Sequence, residues 1–152
     1  MESKAKLLGH PIHPMLIVFP VGLLVTAVIF DVVRMLTGDV AFATVAFWCI
    51  AAGVIGGLVA AIFGLIDWLN IPAGTRAKTI GMWHGLGNVV VLALFAVSWL
   101  LRRGDPSLVP DTLAFVLALA AAVLSVVTSW LGGEMVSRLG VGVDRGAHLD
   151  AP

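Results

Sequence analysis

The sequence has few charged residues for its length. Only 12% of its 152 residues are Asp, Glu, Lys or Arg, whereas about a quarter of the residues in a soluble domain are charged. The nine basic and nine acidic side chains cancel, so the chain has no excess of positive charge with which to bind a polyanion. The composition therefore excludes an ordinary soluble domain and gives no reason to expect nucleic acid as a partner.

Cysteine is almost absent as well. Cys49 is the single cysteine of the chain, and one thiol cannot form an internal disulfide. This excludes the quinone-coupled dithiol oxidases, which are also four-helix membrane bundles but need cysteine pairs. We expect Cys49 to be a small packing residue.

Long apolar runs dominate the sequence. Hydrophobic residues make up 60% of the chain, and its mean hydropathy is +1.07. Four runs have 20 or more residues, at positions 15–36, 40–69, 80–101 and 112–131, and about 20 apolar residues span a bilayer as a helix. The sequence predicts an all-α polytopic membrane protein, a four-helix bundle with short loops. We expect spans at about 14–36, 40–69, 79–101 and 111–137, in a single domain over residues 1–152 with a flexible tail at 139–152.

The distribution of basic residues predicts the orientation of these spans. With four spans, both termini and the middle loop lie on one side, where six Lys or Arg residues fall, against three on the other side. Cytoplasmic loops carry the excess of Lys and Arg. The sequence therefore predicts a bacterial inner-membrane protein with both termini in the cytoplasm.

Two histidines precede the first span. His10 and His13 are each followed by proline, which disfavours the helical conformation of the residue before it. In a polyproline II segment both imidazoles would point the same way, roughly 9 Å apart, with Pro14 at the first helical position. Further along, Pro20 is expected to kink the first span.

The other ionisable residues of the spans fall mostly at the same side of the membrane. Ionisable groups at membrane depth usually face the bundle interior or an aqueous cavity. The predicted cytoplasmic layer contains His10, His13, Asp67, His84, Asn88 and Glu134. The opposite side has only Asp31 and Arg34, which are three residues apart and are expected to pair with each other.

Three interpretations of this layer remain open. In the first, it binds a cofactor. A haem would take His84 and His13 or His10 as axial ligands, Asn88 would belong to the same pocket, and the glycines around His84 would leave room for the macrocycle. A divalent metal ion would instead be bound by His13, His84, Asp67 and Glu134. In the second, the layer relays protons or ions, and in the third it is structural. No enzymatic activity is predicted, because no nucleophile–base pair or phosphate-binding loop is visible.

Four segments, at residues 9–15, 76–88, 130–136 and 140–143, resemble the DUF2231 family of predicted bacterial inner-membrane proteins. The resemblance implies four spanning helices and no established activity. It places the family's motif positions at His10, His13, Asp67, His84, Asn88, Gly132, Gly133 and Glu134.

Some members of that family are fused to Rieske iron–sulfur or c-type cytochrome modules. The resemblance thus implies a redox-linked role, which in this chain needs a bound cofactor or a separate redox partner protein. Besides the lipid bilayer, a homo-oligomer is the other partner to consider. The small residues Gly53, Gly57 and Gly64 allow close approach of a helix from the same chain or from a second copy.

Overall fold

Four long helices account for most of the molecule. The computed structural model describes residues 1–150, and in them four helices are long and apolar enough to cross a membrane. Helices α1 (Ile12–Leu16) and α2 (Val18–Thr37) form the first span, followed by α3 (Ala41–Leu69), α4 (Arg76–Arg102) and α5 (Thr112–Ser137). A short hairpin of β1 (Lys6–Leu7) and β2 (His10–Pro11) precedes them. The predicted four-helix membrane fold is confirmed.

The starts of α4 and α5 are set by capping residues. The side chain of Asp111 accepts a hydrogen bond from the amide of Ala114 at 2.7 Å, and the Thr75 hydroxyl accepts one from the amide of Lys78 at 3.2 Å. Such caps satisfy amide groups that have no partner within the helix. The Thr75 cap starts α4 at Arg76, three residues before the predicted span (79 − 76). Arg76 is therefore helical and can reach α5.

The first span is broken at Ile17, between α1 and α2. Pro20 has no amide hydrogen for the carbonyl of Leu16, four residues earlier, and its ring crowds that carbonyl. The break lies on the N-terminal side of the proline, as this mechanism requires. Ile17 keeps helical dihedral angles, with φ −63° and ψ −19°, so the kink expected from Pro20 stays a prediction.

The expectation that both early histidines are extended is wrong for His13. The extended residue is Pro11, the N-cap of α1 with φ −66° and ψ 128°, and His13 lies in the first turn of that helix. Pro14 is tolerated there because the first amide groups of a helix have no intrahelical partner in any case. His10 lies exposed in β2 opposite Leu7, so the two histidines do not share a polyproline face.

The helices pack as two antiparallel hairpins. Helix α2 packs mainly against α3, and α4 mainly against α5; the hairpins then meet through α3 with α4 and α2 with α5. Helices α2 and α4 are thus diagonal to each other. The buried apolar residues between the hairpins are Leu24, Ala27, Val28, Ala46, Ile50, Val91, Phe95, Ala118 and Ala121.

The two hairpins repeat the same pattern of burial. Four buried positions of α2 recur 71 positions later in α4 (for example 102 − 31): Pro20, Leu24, Ala27 and Asp31 correspond to Val91, Phe95, Ser98 and Arg102. Four buried positions of α3 recur 68 positions later in α5: Ala46, Ile50, Gly53 and Ala60 correspond to Ala114, Ala118, Ala121 and Thr128. Equivalent positions of the two halves therefore face the same interior.

Candidate functional site at the paired histidines

His13 and His84 meet at one end of the bundle. Their ring centroids are 6.3 Å apart and the rings are nearly perpendicular, at 88°. His13 comes from α1 and His84 from α4, and the two residues are equivalent in the repeat because they are also 71 positions apart (84 − 13). The structure thus brings together two imidazoles that the sequence placed in one layer.

His13 is seated against α3. Its Nδ1 lies 2.9 Å from the carbonyl oxygen of Ala60. One turn further along α3, a Cβ atom on Gly64 would lie only 2.9 Å from the imidazole Cε1. The ring therefore occupies the space that a side chain at position 64 would need.

His84 is seated against α5 in the same way. Its Nδ1 lies 2.8 Å from the carbonyl oxygen of Thr128, and a Cβ atom on Gly132 would lie 3.0 Å from its Cε1. In both hairpins the accepting carbonyl comes four residues before the glycine. The sequence shows this arrangement as a glycine four residues after the accepting residue in each hairpin, Gly64 after Ala60 and Gly132 after Thr128.

These hydrogen bonds define what the imidazoles can do. A carbonyl oxygen can only accept, so Nδ1 must be the donor in both rings. In a neutral imidazole the other nitrogen, Nε2, then carries a lone pair. Histidines that ligate metals commonly donate their other ring N–H to a backbone carbonyl in this way. His13 and His84 are thus held in the tautomer that can bind a cation through Nε2.

Asn88 makes the surroundings of His84 differ from those of His13. Its Nδ2 donates to the carbonyl oxygen of His84 at 2.8 Å and lies 3.3 Å from Nε2 of the same residue. Its Oδ1 accepts a hydrogen bond from the buried Thr128 hydroxyl at 3.1 Å. Position 17, which corresponds to Asn88 in the first half (88 − 71), is the apolar Ile17. Asn88 thus belongs to the His84 environment, as the sequence suggested.

Asp67 is engaged elsewhere in the same layer. Its carboxylate accepts hydrogen bonds from the Ser3 hydroxyl at 2.7 and 2.8 Å, from the amide of Lys4 at 2.7 Å and from the amide of Ala5 at 3.3 Å. It lies about one helical turn beyond Gly64 on α3. Asp67 thereby fixes the N-terminal segment across the end of the bundle.

Glu134 is also occupied by other partners. One carboxylate oxygen lies 2.7 Å from Nη2 of Arg76, and the other lies 3.3 Å from Nε of Arg138. Glu134 is almost fully buried, whereas both arginines are largely exposed. Within residues 1–150, no three His, Cys, Asp or Glu side chains come together as a metal-binding group. The structure places the two carboxylates in the predicted layer but gives each its own protein partners.

A fully buried ion pair, Asp31 with Arg102, lies at the opposite end of the bundle. Both carboxylate oxygens of Asp31 accept from Arg102, at 2.6 and 2.7 Å, and both side chains are fully buried. The expected pairing of Asp31 with Arg34 is therefore wrong. Bidentate arginine–carboxylate geometry satisfies both partners, and the repeat brings positions 31 and 102 together across the bundle.

The glycines near His84 do not leave a slot for a flat macrocycle. A Cβ on Gly81 would lie 2.7 Å from the Trp68 ring, and one on Gly87 would lie 2.6 Å from a Thr128 methyl group. Gly85 is exposed and has no neighbour within 4 Å, so it faces outward. The space beside Gly81 and Gly87, which was expected to leave room for haem, is filled by side chains.

Comparison with known families settles what kind of chain this is. Residues 9–145 match the model of a family described as a predicted membrane protein, DUF2231. The chain belongs to the DUF2231 family. No curated protein and no solved structure matches this family member.

Sequence reasoning missed part of this DUF2231 site. It did not identify Ala60 and Thr128, whose carbonyls orient the imidazoles, or Arg102 as the partner of Asp31. A signal for the last pair was present. Asp31 and Arg102 each follow the histidine of their own half by 18 residues (31 − 13 and 102 − 84), which indicates that both pairs join the first span to α4.

Proposed function

We propose that this small membrane protein binds a divalent transition-metal ion between His13 and His84. The observation that carries the proposal is the matched pair of imidazoles, each with Nδ1 donating to a backbone carbonyl. The Nε2 lone pair of His13 is then left for an ion, and that of His84 becomes available when the side-chain amide of Asn88, 3.3 Å away, turns from it. Neutral imidazole suits Zn²⁺, Cu²⁺, Fe²⁺ and Ni²⁺.

The separation of the rings is compatible with an ion between them. An ion bound at about 2.0–2.1 Å from one nitrogen of each ring, on a nearly straight line, leaves the ring centres roughly 6 Å apart, and the observed separation is 6.3 Å. A haem iron with two axial histidines would give the same separation, so the preference for a free ion rests on the filled space beside the glycines. A haem would need the helices to move apart, because the neighbouring glycine spaces are filled. Two protein ligands also leave coordination positions open for water or an external ligand, as in metal sites that do chemistry.

A transmembrane proton relay receives less support. His13 and Asp31 are 18 residues apart, about 27 Å along a helix, close to the thickness of the bilayer core. The interior between these two polar layers is lined by buried apolar residues such as Leu24, Ile50 and Phe95. The two layers thus stand at opposite boundaries of the membrane with an apolar core between them.

Asparagine substitution separates a ligand role from a structural one. The side-chain amide of Asn can donate in place of Nδ1, but it has no counterpart of Nε2. Purified protein in detergent should be titrated with Zn²⁺ and Co²⁺ by calorimetry and visible absorption. We expect one ion per chain, and we expect His13→Asn and His84→Asn each to weaken binding by at least about 100-fold, since losing an outer-shell partner alone costs 10- to 100-fold. The exposed His10 supplies the control, and His10→Ala should bind like the parent protein.

The outcomes of this titration are distinct. Unchanged binding in His84→Asn, or no binding by the parent protein, would overturn the metal site and favour a structural layer. In that case the asparagine variants should keep the stability of the parent, because the interhelical hydrogen bond is kept. A Soret band after addition of haem that disappears in His84→Asn would favour haem instead.

We also propose that the histidine end faces the cytoplasm of a bacterium, with the protein in the inner membrane. The histidine end has Lys4, Lys6, Arg76, Lys78, Arg138 and Arg145. The other end has Arg34, Arg102 and Arg103. The asymmetry is six against three, and the positive-inside rule counts basic residues rather than net charge.

Reporter fusions test this orientation. A fluorescent protein fused to the C-terminus should be fluorescent, and alkaline phosphatase inserted at residues 105–110 should be active. The reverse pattern would place the histidine end in the periplasm. A silent reporter at both positions would be resolved by accessibility labelling of cysteines placed at residues 73 and 107.

The proposed partners follow from the same structure. A redox-linked role would need a bound cofactor or a separate redox protein. For a homo-oligomer, the glycine strip of α3 gives little support. The side chain of Leu24 occupies the space beside Gly53, and that of Leu92 occupies the space beside Gly57. Both leucines belong to the same chain, so these glycines serve packing within the bundle.

The C-terminal segment is proposed to be flexible only beyond its first residues. The amide of Gly142 donates to the carbonyl of Met1 at 2.8 Å, and the terminal amine of Met1 donates to the carbonyl of Gly140 at 2.6 Å. Val141 is buried. The flexible tail predicted for residues 139–152 therefore starts with anchored residues, and positions 151 and 152 lie outside the described residues.

A further inference from the structure

The β1–β2 hairpin ends in an unusual turn. Lys6 pairs with Pro11 and Leu7 with His10, which leaves Leu8 and Gly9 as the two central residues. Both have positive φ, 49° and 87° respectively. Two-residue turns of this kind favour asparagine or aspartate followed by glycine. The chain has the favoured glycine but places leucine where a small polar residue is expected.

Leucine at this position is unfavourable on two counts. The left-handed conformation crowds its Cβ against the backbone, which a bulky side chain rarely accepts. The side chain is also 92% exposed, and its neighbour Leu7 is 54% exposed. Residues with such backbone strain cluster at functional sites. An apolar side chain held out in this way gains free energy when it leaves water.

The location of the hairpin identifies what covers it. Its last residue, Pro11, is the N-cap of the first span, so the turn lies within a few residues of the point where the chain enters the membrane. Its base is tied to the bundle by the hydrogen bond from the amide of Ile12 to the carbonyl of Ala5, at 2.9 Å. Met15, Val18 and Phe19 are exposed just beyond it, at the start of the first span. The nearest apolar medium is the bilayer itself.

We propose that the Leu7–Leu8 tip inserts into the interfacial region of the lipid bilayer beside the first span. The tip acts as a second membrane contact outside the four spans. Lys6, at the base of the hairpin, pairs with Glu2 at 2.7 Å and keeps that end in the aqueous layer. The insertion does not depend on the metal site.

Site-directed spin labelling tests the insertion. Replacing the single cysteine (Cys49→Ala) gives a background for Leu8→Cys, labelled with a nitroxide and reconstituted into phosphatidylethanolamine–phosphatidylglycerol vesicles. The control is Ala73→Cys, an exposed residue in the loop between α3 and α4 at the same end of the bundle. Power saturation with oxygen and with a nickel chelate measures depth. We expect the ratio of oxygen to nickel accessibility to be several-fold higher for the label at position 8 than for the label at position 73.

Each other outcome overturns the insertion. Equal ratios at the two positions would place the tip in water. A label at position 8 that neither reagent reaches would mean that the tip docks on protein instead. Leu8→Asn serves as a folding check, because it restores the favoured turn and should leave the helical circular dichroism unchanged.

Discussion

Arg102→Met is expected to destabilise the protein by about 3–5 kcal/mol, the usual effect of removing one partner of a buried ion pair. The carboxylate of Asp31 would remain fully buried with no cation to balance it. Both of its oxygens now bond to Arg102, at 2.6 and 2.7 Å. The free energy of unfolding should be measured in detergent micelles by titration with a denaturant.

Two controls make this result specific to the pair. Arg103→Met removes the neighbouring exposed arginine, whose guanidinium lies 5.1 Å from the centre of the Trp99 ring, and should lower the stability by no more than about 1 kcal/mol. The double variant Asp31→Leu with Arg102→Met removes both charges and should recover most of the loss, since apolar replacements of buried pairs are often neutral. A single variant as stable as the parent, or a double variant as unstable as the single one, would contradict the assignment.

The second large effect is expected at the glycines that seat the imidazoles. Gly64→Ala and Gly132→Ala place a methyl group 2.9 and 3.0 Å from an imidazole carbon, closer than atoms in a packed core tolerate. Overpacking of this kind costs about 1–3 kcal/mol. The displaced ring should also lose its carbonyl hydrogen bond, so each variant should bind Co²⁺ more weakly than the parent. Thermal unfolding and the Co²⁺ titration measure the two effects separately.

Outward-facing glycines provide the matched controls. At Gly22 and Gly85, the position that a Cβ atom would take has no other atom within 4 Å, and both residues lie within helices. Alanine is the better helix former by about 1 kcal/mol, so Gly22→Ala and Gly85→Ala should be as stable as the parent or slightly more stable. If Gly64→Ala behaves like Gly85→Ala, the close packing of His13 against α3 is not as described.

The fold was predictable because it depends on short continuous segments of the sequence. Four apolar runs of spanning length need no knowledge of partners, and the interruption of the first span at Ile17 follows from the missing amide hydrogen of Pro20 alone. The start of α4 was less predictable, because the capping bond of Thr75 extends the helix beyond the apolar run into a polar segment. These are all properties of short segments, which the sequence displays directly.

The site was only partly predictable because it depends on how helices face one another. The sequence placed His13, His84, Asp67 and Glu134 at one depth, but depth does not determine which side chains meet. Asp67 bonds to the N-terminal backbone and Glu134 to two arginines, whereas the two histidines meet across the bundle. Sequence proximity favours Arg34 as the partner of Asp31, but the real partner lies on another helix.

The spacing between the two halves has a consequence for synthesis of the protein. Arg102 follows Asp31 by 71 residues (102 − 31), and ribosomes add about 5–20 residues per second. At that rate, Arg102 is added to the chain roughly 4 to 14 seconds after Asp31. A first hairpin that reaches the membrane before Arg102 is made carries this carboxylate without its cation; Asp31 lies six residues before the end of α2 (37 − 31). Arrival of the second hairpin then buries both charges together, so the newly made chain acquires its buried ion pair only when its two halves have docked.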